Sequence, residues 1–277
     1  MATSERSARA GLPAFVLHRW DWSESSLIVE LFVRPLGRIA VAARGAKRGN
    51  SELRAVLLPF QPIAISLTVP RRQRRTDSAE AEPREAEVQT LRGAEWLGGA
   101  PLLPPEALFS AYYLNELLLK TLARQDPHPT LFDCYAQAVA ALATTALAAS
   151  EQEAAVLRAF ELRLLRETGV LPDLAHQTLD GQPLTAQRRY ALRPEGGLVA
   201  SAGDEALPAS VWQALERALR DKGPNDDELH AACAAAGPAL RASLRPTLQY
   251  HLANPRLRTR EVWRDVQRLA ASVPGRG

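Results

Sequence analysis

The sequence predicts an α+β chain in two parts: a five-stranded barrel, then an all-α half that carries a small irregular insert. Three observations point there. Short runs of β-branched and aromatic residues follow one another from Ala14 to about Trp96. Gly98-Gly99-Ala100-Pro101 and Pro104-Pro105 then interrupt the pattern. Beyond them, apolar residues recur at helical spacing. With 277 residues, 46% of them apolar, the chain has core enough for one large domain or two ordinary ones, and global disorder is excluded.

Ala14-Phe15-Val16-Leu17-His18 opens the barrel, and Ser26–Val33 reads as the second strand. Pro35-Leu36-Gly37 turns the chain into Arg38–Ala43, which ends at Arg44–Asn50, a loop holding Arg44, Lys47 and Arg48. A fourth strand spans Ile63–Val69, after Pro59-Phe60-Gln61-Pro62. The fifth, Val88–Leu91, follows a polar insertion that is cationic over Pro70–Arg75 and acidic over Thr76–Glu87. So few apolar residues predict a flexible segment. Five short strands fit an OB-fold or an SH3-like barrel, the OB-fold being the commoner one to bind nucleic acid.

Helices are expected over Glu106–Gln125 and from Thr130, a cap candidate, to about Ala149. Ser150 and Glu153 have capping-box spacing before a helix whose apolar face is Val156, Leu157, Phe160, Leu164 and Leu165, and which Gly169 ends. Val170–Ala206 is turn-rich, with Tyr190–Leu192 as a short strand. Helices resume over Pro208–Lys222, Asp226–Ala236, Pro238–Ala253 and Thr259–Ala271. The expected organisation is a tail over 1–11, a barrel domain over 12–97 with its charged insertion at 70–87, and a helical domain over 103–277 with its insert at 170–206.

A net charge of only +3 conceals segregation. Residues 1–75 carry +8 and residues 76–100 carry −4, while the rest is near neutral. A second local excess lies in Arg241, Arg245, Arg256, Arg258, Arg260, Arg264 and Arg268, opposed only by Glu261 and Asp265. Nearly all the cations are arginines, whose planar forks suit phosphates and stack on bases. Such runs are either solvated faces or the footprint of a polyanion, and the arginines of Pro70–Arg75 have neighbouring glutamates to pair with.

Enzyme chemistry has no visible carrier. No phosphate-cradling glycine motif is present, and the five histidines are scattered without metal-ligand spacing. His230 and Cys233 alone are too few for zinc. Two cysteines build neither a disulfide framework nor a zinc quartet, so a reducing, cytoplasmic location is expected. No cofactor is expected. Met1–Gly11 has no signal-peptide core, and no apolar stretch is long enough to span a membrane.

An ordered set of motifs resembles the bacterial RecO family of repair and recombination mediators. It comprises Phe15-Val16-Leu17-His18, Trp22-Ser23-Glu24-Ser25-Ser26-Leu27, Gly37-Arg38, Ala43-Arg44-Gly45-Ala46, Leu57–Pro62 and Leu91-Arg92-Gly93-Ala94-Glu95. Tyr113–Leu118 and Leu157–Leu165 continue it in the helical half, so that it runs from about residue 14 to 265. The resemblance implies an amino-terminal OB-fold and a non-enzymatic protein that binds single- and double-stranded DNA and anneals complementary strands. It also implies RecR, the acidic carboxy-terminal tail of single-stranded DNA-binding protein and the RecA pathway as partners, and a nucleoid-associated location. The alternative function is a protein-only adaptor whose barrel and helices are docking surfaces.

Candidate DNA contacts are Arg34, Arg38, Arg44, Lys47, Arg48 and Arg54, with Arg71, Arg72, Arg74 and Arg75 as an auxiliary arm. Within the motif of the resembled family, Arg158 is the expected partner of a peptide carboxylate, with Leu157 or Phe160 lining an apolar pocket. The competing role for Arg158 is a pair with Glu161 on its own helix. Many family members carry four cysteines in the insert as a zinc site; Leu171–His176 and Gly181–Leu184 have none here. The Arg71–Glu87 stretch is also longer than the family's usual connection between the fourth and fifth strands.

Overall fold

The computed structural model describes residues 11–68, 88–99, 101–144, 150–220, 226–252 and 256–272. The expected amino-terminal tail and charged insertion lie outside them. The chain divides into two units: one takes in the barrel together with Leu122–Phe132, the other Leu103–Thr121 and everything from Asp133 onward.

The barrel unit has β1 (Leu12–Asp21), β2 (Leu27–Val33), β3 (Gly37–Ala43), a short helix α1 (Glu52–Val56), β4 (Ile63–Leu67) and β5 (Gln89–Trp96). The strands close in the order β1-β2-β3-β5-β4, which is the OB-fold arrangement. All pairings are antiparallel except β3 with β5. Alternation sends Leu27, Val29, Leu31 and Val33 of β2 and Ile39, Val41 and Ala43 of β3 into a core shared with Ile63, Ile65 and Leu67. Each fully buried aliphatic there contributes about 1.5–3 kcal/mol.

The outer face is partly covered too. Phe15 and Phe32 receive the ring of Phe132, with both centroids 5.3 Å away. The expected helix to Gln125 ends earlier for the same reason: Gln125, at φ 60°, donates its N–H to the Arg38 carbonyl at 2.8 Å. Gly37 permits this approach, because its φ is +72° and a Cβ would collide with the Asp126 carbonyl oxygen. β5 runs further than expected, to Trp96, since pairing with β4 outweighs the weak strand preference of Gly93 and Ala94.

The helical unit contains α2 (Leu108–Thr121), most of α3 (Pro129–Thr144), α4 (Ser150–Glu167), the strands β6 (Arg189–Arg193), β7 (Gly197–Ala200) and β8 (Leu207–Pro208), then α5 (Ala209–Arg220), α6 (Asp227–His251) and α7 (Arg258–Ser272). α6 breaks at Gly237 (φ 59°, ψ −152°), where the sequence separates two helices. The core is built around Trp212, fully buried, whose indole N–H donates to the Tyr190 carbonyl at 2.9 Å. Glu116 of α2 caps α7 from outside, accepting from the Arg258 and Thr259 N–H groups at 2.8 and 3.0 Å. Burial opposes ionisation of Glu116, but these bonds and one from Lys120 outweigh it and hold the carboxyl below its ordinary range.

The insert is a three-stranded sheet ordered β7-β6-β8. Ion pairs tie down the cysteine-free segment Leu171–His176. Glu216, nearly buried, accepts from Arg166 (2.6 Å), Arg220 (2.8 Å) and the Leu174 N–H (2.9 Å). Asp173 accepts from Arg220 (3.0 Å) and the Ala175 N–H (2.7 Å). Among the described residues no group of three or more His, Cys, Asp or Glu is placed to hold a metal ion, and no helix is long and apolar enough to cross a membrane.

Burial opposes the charge on Glu216, yet its three donors hold the carboxyl below the usual range. Its contribution is therefore complete above the unfolded carboxylate pKa and fades as the pH falls through the lower folded value. Glu216→Gln is expected to cost about 2 kcal/mol at pH 7 in urea unfolding. The gap between variant and wild type should narrow as the pH drops below about 4.

Candidate nucleic-acid interface

The barrel's cations fall into separate places, fixed by the strand register. Arg34 is exposed in the β2–β3 turn, where its N–H donates to the Pro13 carbonyl at 3.0 Å. Arg44, Lys47 and Arg48 follow the other end of β3, so Arg34 is roughly 20 Å from them along the strand. Arg54 is exposed on α1. Arg71, Arg72, Arg74 and Arg75 lie outside the described residues.

Arg38 belongs to the fold. It is half-buried beside Glu30, which is 2% exposed and ion-paired to Arg124. Desolvation lowers the pKa of the Arg38 guanidinium; Glu30 acts against this and Arg124 with it. Two arginines thus surround one buried carboxylate on the outer barrel face.

Arg44, Lys47 and Arg48 instead share the loop that follows β3, which Lys47 ties to the tip of the β1–β2 hairpin. The Lys47 N–H donates to the Ser25 carbonyl (3.0 Å), its ammonium to the Ser23 carbonyl (3.1 Å), and the same ammonium is 3.2 Å from Asp21. Arg44 and Arg48 are exposed and meet no carboxylate among the described residues. A bulge between Val16 and His18 resets β1, so that His18 and Trp20 face outward opposite Glu30 and Ile28. His18 stands edge-on to Trp20, with centroids 4.4 Å apart. Burial lowers the His18 pKa despite the opposing effect of Glu30, which keeps the ring neutral at pH 7. Trp20 and Trp22 are 44% and 58% exposed. These aromatics are absent from the set the charge pattern selects; the signal for them is two tryptophans flanking Asp21 beside the turn-forming Ser23–Ser26.

In the helical unit, Arg158 is 6% exposed and bonded to Glu161 at 2.5 Å, and the Tyr113 hydroxyl donates to the same carboxylate at 2.5 Å. The pairing on its own helix is therefore present. Arg158 and Glu161 also line a cleft with Tyr113, Arg241, Arg245 and Leu248. Arg158 Nε has no hydrogen-bond partner among the described residues. Leu157 and Phe160 are not part of the cleft wall. Each step along a helix turns about 100°, so residues one and two away from Arg158 leave its face. Leu157 is half-buried, and Phe160 is a core residue edge-on to Tyr135.

Neither cysteine offers a thiolate. Burial pushes Cys134 up to about 12 and Cys233 higher still.

Family models match most of the chain: recombination protein O N terminal over residues 10–83, and recombination protein O C terminal over residues 104–261. A DNA repair protein RecO of Variovorax paradoxus (strain S110) is 48% identical over 262 residues, covering 93% of this chain and 96% of the relative. One from Verminephrobacter eiseniae (strain EF01-2) is 48% identical over 271 residues, covering 97% and 100%. One from Polaromonas sp. (strain JS666 / ATCC BAA-500) is 44% identical over 259 residues, covering 93% and 96%.

The division of the cations has a direct check in urea unfolding. Arg38→Ala leaves Glu30 with less compensation and is expected to cost about 1–2 kcal/mol, whereas Arg44→Ala and Arg48→Ala should stay within about 0.5 kcal/mol of wild type.

Proposed function

The chain belongs to the recombination protein O family, and from that premise we propose that it is a non-enzymatic mediator of DNA repair and recombination. It binds single- and double-stranded DNA, anneals complementary strands, and acts with RecR to help RecA load onto DNA coated with single-stranded DNA-binding protein. The observation that carries this reading is the exposed pair Arg44 and Arg48, which meet no carboxylate among the described residues, beside Lys47 at one end of a closed OB barrel, with Arg54 on the following helix. Arg34 and the arginines of 71–75 are further candidate contacts. Cations on phosphates release counterions, a gain indifferent to sequence. Annealing then needs no covalent step: two strands held close, with their mutual repulsion screened, pair faster because their effective concentration rises.

A second site is proposed in the helical unit, where the exposed arginines at the rim of the narrow cleft favour an acidic peptide, such as the tail of single-stranded DNA-binding protein. Arg241 and Arg245 stand exposed about one helical turn apart, and Leu248, Leu257 and Tyr113 supply apolar wall beside Arg158 and Glu161. The Glu161 charge is offset by Arg158 and by the Tyr113 hydroxyl, which reduces repulsion of an incoming carboxylate.

Fluorescence anisotropy of a labelled single strand across a salt series tests the first site. Affinity should fall steeply with salt, and Arg44→Ala with Arg48→Ala should shrink the log–log slope by about 1.4, at about 0.7 per phosphate contact. No binding even at low salt would favour the protein-only adaptor. For the second site, Arg241→Ala with Arg245→Ala should weaken a labelled acidic tail peptide by about tenfold or more; unchanged affinity would remove the cleft from consideration.

A further inference from the structure

We propose that the outer face of the β1–β2 hairpin is a base-stacking site for single-stranded nucleic acid, with Trp20 and Trp22 as platforms and Arg44 and Arg48 beside them for the backbone. This rests on the reading of the barrel as a nucleic-acid-binding unit and extends it by naming unpaired bases as the ligand of this face.

The geometry starts with strand alternation. His18 and Trp20 occupy successive outward positions of β1, and Trp22 continues the two-residue count just past its end. Their spacing is roughly 7 Å per step, the rise of two strand residues. His18 braces Trp20 edge-on from one side, at an interplanar angle of 77°, and Ile28 lies opposite Trp20 on β2. The Trp22 N–H donates to the Ser26 carbonyl at 3.2 Å, which fixes the backbone of the second platform. Both indoles are thus positioned by the hairpin yet keep about half of their surface open to solvent.

The surrounding charge favours a polyanion. Leu27 pairs with Ala43, the last residue of β3, so Arg44 begins the loop that meets this hairpin tip. Arg44 and Arg48 are exposed without a carboxylate partner among the described residues. Of the two acidic residues at the tip, Asp21 is neutralised by Lys47 at 3.2 Å, which leaves Glu24. Indoles beside unengaged guanidinium groups are the combination that single-strand sites use, since every base offers a ring face and every nucleotide a phosphate. A duplex hides its base faces within its own stack, so the tryptophans contribute little there, while the arginines serve both forms.

The test compares an oligothymidylate and a duplex of equal length by anisotropy, for wild type, Trp20→Ala, Trp22→Ala and Trp22→Phe. Each alanine variant is expected to lose about tenfold or more in affinity for the single strand and less than twofold for the duplex, with Trp22→Phe retaining most of the single-strand affinity. Urea midpoints within error of wild type identify the loss as one of binding. Equal losses on both nucleic acids, or none on either, overturn the stacking site while leaving the broader DNA-binding reading intact. A wild-type protein that binds neither overturns both.

Discussion

The barrel unit depends on a very short closure. Among the described residues β3 and β5 pair, in parallel, through Val41 with Gln89 and Ala42 with Thr90, and without this pairing both strands would present open edges. Among the described residues the core of the closed barrel is built of aliphatic side chains. The outer wall divides. One part, around Phe15, Phe32 and Glu30, is sealed by Leu122–Phe132, and the remainder, at the hairpin tip, stays open with its indoles and arginines.

Much of this was legible in the sequence because its causes are local. Alternation in β2 and β3 marks the inward residues, Pro35-Leu36-Gly37 marks the turn, and Gly237-Pro238 marks the break in α6, since glycine reaches positive φ and proline cannot donate an N–H. The parts that were not legible have distant causes. Arg38 reads as an outward cation on a strand, which it is; what half-buries it comes from about 90 residues later in the chain. Helical spacing runs through Leu122, but backbone pairing with Arg38 unwinds the helix at Thr121. Phe160 lies two positions from Arg158, and helix rotation alone places one in the core and the other at a cleft.

The insert shows how a different chemistry meets the same mechanical demand. Where the resembled family is expected to carry thiolates, the Leu171–Leu184 segment is held by Arg166, Glu216, Arg220 and Asp173, and Gly197 accepts the close approach of Thr178, whose hydroxyl receives the Leu198 N–H. Charge pairs of this kind weaken with protonation and not with chelation. The small sheet is also anchored to the helices by the indole of Trp212 and the hydroxyl of Ser243, both bonded to the backbone of β6.

The return of Leu122–Phe132 to the barrel has a consequence for synthesis on the ribosome. A nascent chain that has just released β5 holds all five strands, yet Phe15 and Phe32 lack their aromatic cover and Glu30 lacks Arg124. Those arrive only after α2, a helix of the other unit, has been translated. The barrel is therefore completed late, a few seconds behind its own last strand at ordinary elongation rates of about 5–20 residues per second. During that interval the aromatic patch of Phe15 and Phe32 on the nascent chain stands uncovered, and a chain truncated just after β5 would keep it so.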